Sequence, residues 1–153
     1  MNLSDDTMFA LPIVPRYAEV DQQGVVFHAH YLTWFDETCT AFLTHLAVPY
    51  AALIADETDF QVVHSDIDYR APVRWGDAVR VRAGCLTVGV TSFTLRFTVL
   101  RTGTDGIERV AVTGRNVYVV VSTRDWAKRS VPEGLRRALE SHLVPDPVAA
   151  HSE

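Results

Sequence analysis

The sequence predicts an α+β fold in which a five-stranded antiparallel sheet wraps around one long helix. Two patterns carry that expectation: an apolar stripe at three- and four-residue spacing before residue 59, and alternation with period two after it. The length of 153 residues suits one domain. Hydrophobic residues at 48% and charged residues at 22% are ordinary globular values, which excludes a disordered or fibrous chain. The expectation is a single domain over 1–153, with an ordered core at about 8–143 and a flexible tail at 144–153.

A first strand is read from about Phe9 to Glu19, with Pro12 and Pro15 marking an edge or a bulge. The turn Asp21-Gln22-Gln23-Gly24 follows, and a helix starts near His28. Leu32, Phe35, Cys39, Phe42, Leu43 and Leu46 form the apolar stripe that this helix buries. Pro49 ends it or opens a second short turn through Ala55. Strands follow at about 60–70, 78–88, 92–102 and 108–121, separated by Arg74-Trp75-Gly76-Asp77, Gly89, and Gly103 to Gly106. Val79, Val81 and Ala83 alternate with Arg80 and Arg82. Phe93, Leu95, Phe97 and Val99 alternate with Thr94, Arg96 and Thr98, so each strand buries one face. Pro132 opens a short final helix through Leu135, Ala138 and Leu139 to about His142. A lone apolar helix is covered only if the sheet curls over it, and the sheet's second face calls for a partner copy.

The net charge of −5 hides an asymmetry. Residues 1–69 hold eleven acids against Arg16 alone, whereas residues 70–115 hold eight arginines against Asp77, Asp105 and Glu108. Guanidinium forks bind phosphates bidentately, although strand arginines also simply face water. Nucleic acid is not expected, because the chain is acidic overall and has no helical basic stripe. No apolar run approaches the ~20 residues of a membrane span. Met1-Asn2-Leu3-Ser4-Asp5-Asp6 is acidic where a signal peptide is basic. Cys39 and Cys85 offer neither a disulfide framework nor metal-ligand spacing. A cytoplasmic protein with no metal and no cofactor is the expectation.

The informative segment runs from Arg16 to Leu32, Arg-Tyr-Ala-Glu-Val-Asp-Gln-Gln-Gly-Val-Val-Phe-His-Ala-His-Tyr-Leu. It places Asp21 at a strand end, three residues before Gly24 and seven before the helix start at His28. Unpaired N–H groups at a helix start hold an oxyanion, and an acid beside them faces a carbonyl bound there. An aspartate before a turn also serves as a turn-former or cap.

Asp21-x-x-Gly24-Val25-Val26-Phe27-His28-x-x-Tyr31-Leu32, preceded by Arg16-Tyr17, resembles the signature of the 4-hydroxybenzoyl-CoA thioesterase-like hotdog proteins. The resemblance extends through Trp34-Phe35-Asp36-Glu37, through Tyr69-Arg70-Ala71-Pro72-Val73-Arg74-Trp75-Gly76-Asp77, and into Gly114-Arg115, covering about residues 13 to 135. It implies a hotdog dimer or tetramer that hydrolyses an acyl-CoA or an acyl-carrier-protein thioester. By the same resemblance Asp21 is the catalytic carboxylate, a nucleophile through a mixed anhydride or a general base on water. His28 polarises the thioester carbonyl through its backbone N–H. Gly24, Phe27 and Tyr31 line the substrate site. Many relatives carry a basic residue just before the serine that opens the fourth strand; here Gly89-Val90-Thr91 precedes Ser92. Arg70, Arg74 or Arg115 then stands in for the nucleotide-phosphate contact, beside Ser92.

Rival readings were weighed against the same residues. A metal site from His28, His30, Asp36, Glu37 and His45 lacks any H-E-x-x-H spacing. Asp36 or Glu37 would be the base in a second hotdog class, which lacks the early Asp-x-x-Gly motif. His64, Asp66 and Asp68 share a strand face and read as solvated or dimer-facing. Cys39 reads as inert core, and Ser65 and Ser92 lack a G-x-S-x-G context. A hydroxyacyl-thioester dehydratase recruiting His28 and a non-catalytic acyl-binding module are the alternatives to hydrolysis.

Overall fold

Proline punctuation sets the first strand. In the computed structural model, which describes residues 7–146, β1 spans only Phe9–Ile13. Pro15 supplies no N–H and a fixed φ, and Tyr17–Glu19 closes into a turn of 3₁₀ helix rather than continuing the strand to Glu19. The long helix α1 spans His30–His45, two residues later than expected, because Phe27 to His30 forms a separate turn in which His30 N–H bonds Phe27 O at 3.0 Å. A short helix α2 follows at Tyr50–Ala55. The remaining strands are β2 Thr58–Tyr69, β3 Ala78–Val88, β4 Ser92–Thr102 and β5 Glu108–Ser122, and helix α3 spans Glu133–Glu140.

All five strands form one antiparallel sheet in the order β1-β3-β4-β5-β2, so β1 and β2 are its edges. Register shifts at Val62/His64, Cys85/Thr87 and Val99/Leu100 bend it around α1. This is the α+β hotdog arrangement. The buried stripe of α1 is Tyr31, Trp34, Phe35, Thr38, Cys39, Phe42 and Leu43. Leu32 is not in it: one residue is 100° of helix, and Leu32 turns toward solvent while Tyr31 and Trp34 turn inward. Phe35 stacks on Phe97 with centroids 4.6 Å apart. A Cβ on Gly114 would sit 2.6 Å from the Phe35 ring, so the helix lies this close to the sheet only because β5 carries glycine there.

The chain after α3 returns to the sheet. Because β1 is short, the Cys85 N–H and C=O lack a strand partner, and the chain after α3 supplies one. Cys85 N–H bonds His142 O at 3.1 Å and Val144 N–H bonds Cys85 O at 2.9 Å. Val144 is buried over Gly84, whose missing side chain makes the room. Residues 147–153 of the expected tail lie outside the described residues.

Candidate active site

The Asp21-to-Val25 turn is closed by its own backbone. Gly24 N–H bonds Asp21 O at 3.0 Å and Asp21 N–H bonds Val25 O at 2.9 Å. Asp21 Oδ1 accepts from Gln23 N–H at 2.8 Å, with Val25 N–H at 3.5 Å. Oδ2 takes no hydrogen bond among the described residues. One oxygen thus holds the carboxylate in the turn, and the turn does not occupy the other. Gly24 has φ +78°, and an added Cβ would meet nothing within 4 Å. Backbone angle, not close approach, requires glycine there.

The two motifs of the sequence meet in space. Val26 N–H bonds Val73 O at 2.8 Å, and Val25 bridges Arg74. The Asp21 turn is thus clamped to the Ala71–Asp77 loop. Tyr69, at the end of β2, donates its hydroxyl to His28 O at 3.0 Å. That bond fixes the peptide ahead of α1. The His28 N–H, in the turn just ahead of α1, has no acceptor among the described residues. Phe27 packs on the His28 and His30 rings at 4.2 and 5.8 Å and keeps part of its surface exposed.

Tyr31 is 2% exposed and packs on Trp34 and Tyr69 at 5.1 and 5.8 Å. Burial pushes its hydroxyl up to about 12, with the negative charge of Asp21 adding to the rise. Within one subunit it is a wall behind the site rather than an open lining. Glu19 went unassigned in the sequence reading. Its carboxylate is buried, accepting from Arg16 N–H and from the Trp34 indole, both at 2.8 Å. Its carbonyl accepts from Phe27 N–H at 2.9 Å. Burial alone would raise its pKa, but these bonds and the Arg16 charge hold it below the ordinary glutamate value. Glu19 pins both ends of the Asp21 loop to α1. The signal in the sequence was an acid two residues before Asp21, between apolar neighbours.

The arginine candidates separate by their partners. Arg70 and Arg74 are exposed, and no side-chain partner holds either guanidinium among the described residues. Arg115 sits on the outer face of the sheet, paired with Asp66 at 3.4 Å and Asp146 at 3.3 Å. Ser92 opens β4 opposite Val119, whereas Tyr69 pairs with Val112. Seven residues along β5 separate those rungs, roughly 23 Å at the usual strand rise. One subunit therefore assembles Asp21, Gly24, Phe27, His28, Arg70 and Arg74 at one end of the sheet, and holds Ser92 at the other.

Asp36 lies six residues into α1, on an open cavity of about 370 Å³ with Cys39, Tyr50, Asp59, Phe60 and Tyr118. Partial burial raises its pKa. His64 and Asp66 stand 3.5 Å apart on the exposed edge strand. Cys39 is buried, which pushes its thiol up to about 12. Among the described residues no helix is long and apolar enough to cross a membrane.

The family model described as Thioesterase superfamily matches residues 23–107, more than half of the chain. The acyl-CoA thioester hydrolase YbgC of Escherichia coli is 32% identical over 86 residues, covering 56% of this chain and 64% of its own length. The aligned part is thus less than two thirds of that relative. A hypothetical protein from Thermus thermophilus superposes with a TM-score of 0.78 at 28% identity, covering 87% of this chain and 98% of that one. The dynemicin thioesterase superposes with a TM-score of 0.82 at 25% identity, covering 91% and 99%.

Proposed function

This chain belongs to the thioesterase superfamily, and on that premise we propose that it hydrolyses an acyl-CoA thioester to the free acid and coenzyme A. The observation that carries the reading is the Asp21 carboxylate, oriented through Oδ1 with Oδ2 unengaged, in a turn clamped beside the start of α1. The thioester carbonyl docks with its oxygen toward the His28 N–H, where the developing negative charge meets an oriented donor. Asp21 then acts by one of two routes. As nucleophile, Oδ2 adds to the carbonyl carbon, the C–S bond breaks, and the thiolate leaves; water then splits the mixed anhydride. As general base, Asp21 takes a proton from the water that attacks directly. Either way one water is consumed, and one acid and one thiol form. Arg70 and Arg74, without side-chain partners among the described residues, take phosphates of the coenzyme.

The functional unit is a homodimer or a dimer of dimers. β2 is an edge strand of twelve residues with Val62 and Val63 exposed, an unpaired ladder that needs covering. Antiparallel pairing of β2 with its copy turns the second sheet end for end. The Ser92 end of one subunit then approaches the Asp21 end of the other, which would unite the residues that a single chain keeps apart.

Replacing Asp21 tests the reading. Asn accepts the Gln23 N–H in the same way, so Asp21→Asn keeps the turn but has neither an anhydride-forming oxygen nor a base. Thiol release from a panel of aryl, short-chain and long-chain acyl-CoAs is expected to lose about 10²–10⁴-fold in kcat, with KM little changed. Asp36→Asn and Glu37→Gln cost far less. An Asp21→Asn protein keeping more than about a tenth of wild-type kcat would move the chemistry elsewhere.

A further inference from the structure

Tryptophan is a mostly buried residue type, yet Trp75 is 62% exposed and Tyr17 is 82% exposed. Their rings meet edge to face at 6.3 Å and 89°. Trp75 is held out by a braced turn. Arg74 N–H bonds Asp77 Oδ2 at 2.8 Å, Asp77 N–H bonds Arg74 O at 3.1 Å, and Gly76 takes φ +90°. Arg101 pins Asp77 from the sheet at 3.6 Å. The charge around the pair is positive. The Arg74 guanidinium has no side-chain partner among the described residues, and the Arg16 side chain is 70% exposed. Of the nearby carboxylates, Asp77 is held by its turn and by Arg101, and Glu19 by Trp34 and by Arg16 itself at 3.5 Å, while Asp21 lies one strand spacing away and Glu37 shares a cavity with Arg16. Arg74 bridges Val25, the residue whose carbonyl closes the Asp21 turn, so the surface begins one strand spacing, ~5 Å, from that turn. It lies beyond β1, at the sheet edge opposite β2.

We infer that Tyr17 and Trp75 form the shelf for the adenine of a coenzyme A thioester, with Arg74 and Arg16 taking its phosphates; this rests on the hydrolase reading above. Two rings at right angles make a niche for one planar heterocycle, which stacks on one ring and meets the edge of the other. A protein partner needs about 800 Å² on each side, far more than two side chains supply. Cations beside the rings match the polyanionic end of the coenzyme.

The test uses the full chain, adenosine 3′,5′-bisphosphate as a calorimetric probe, and two substrates with the same acyl group. One is the acyl-CoA; the other is the N-acetylcysteamine thioester, which lacks the nucleotide. Wild type is expected to bind the bisphosphate. Trp75→Ala and Tyr17→Ala should each weaken that binding by about tenfold and lower the acyl-CoA to truncated-substrate ratio of kcat/KM by a similar factor. Trp75→Phe should retain most of both. Bisphosphate affinity and ratio unmoved in both alanine variants would overturn the shelf. So would an effect confined to sedimentation or to carrier-protein thioesters. If wild type cleaves neither substrate, the hydrolase reading fails and the bisphosphate titration alone decides the shelf. If it cleaves both and the alanine ratios stay at the wild-type value, the shelf fails and the hydrolase reading stands.

Discussion

Glu19 shows how one buried carboxylate organises the loop that carries Asp21. At 3% exposure it must be fully hydrogen-bonded, and its partners are the Arg16 N–H and the Trp34 indole. Because its folded pKa lies below the ordinary value, its contribution to stability is fully present above the unfolded glutamate range and is lost as pH falls through the depressed folded value. Glu19→Gln places an amide NH₂ against one of those donors, so it should cost about 1–3 kcal/mol at pH 7. The gap between wild type and variant should narrow as pH falls from the ordinary glutamate range through the depressed folded value, where the wild-type carboxylate protonates as well. Urea titrations at a series of pH values measure it. A gap that stayed constant with pH would mean the charge is irrelevant to stability.

Among the elements, α1 meets β5 closely at Gly114. The Phe35 ring occupies the volume a side chain at Gly114 would need and stacks on Phe97 across β4. Gly114→Ala should therefore destabilise by about 1–3 kcal/mol through overpacking. Phe35→Leu in the same chain should recover part of the loss, and a thermal-melt double-mutant cycle reads the coupling. Gly114-Arg115 is a mixed pair. The glycine admits the helix on the inner face, while the arginine pairs with Asp66 and Asp146 on the outer one. The position of Arg115 in the strand is legible in the sequence, whereas its pairing with Asp66 and Asp146 comes from the fold.

In the whole molecule, the proposed assembly rests on β2, an edge strand of the sheet. Val63 stands at the register break of this edge strand and is exposed, so Val63→Asp puts a charge where a second copy would pair. Sedimentation should show monomers at micromolar concentration. Thiol release should fall with assembly, because the Ser92 end of the partner leaves the Asp21 end. A wild-type protein that sediments as a monomer while fully active would refute both the assembly and the shared site.

Local rules were enough for most elements. The period-two alternation placed β3 and β4 within their observed bounds, because each strand has one buried face and turn glycines bound it. Specific backbone bonds moved the rest: Phe27 O with His30 N–H delayed α1, and Cys85 tied residues 142–144 to β3. The Asp-x-x-Gly turn, its acid and the helix start beside it were legible because they lie within ten residues of one another. Glu19 and Tyr69 acquired their roles from bonds to Trp34 and His28, fifteen and forty-one residues away. The sequence by itself determined which residues alternate, which stripe is apolar and that Asp21 stands in a turn three residues before Gly24, since short-range sterics and periodicity settle these. Tertiary structure alone decided that Arg70 and Arg74 are free where Arg115 is paired, and that Ser92 lies at the far end of the sheet. Those outcomes depend on which strands neighbour one another, and strand order is set by long-range pairing that no local pattern encodes.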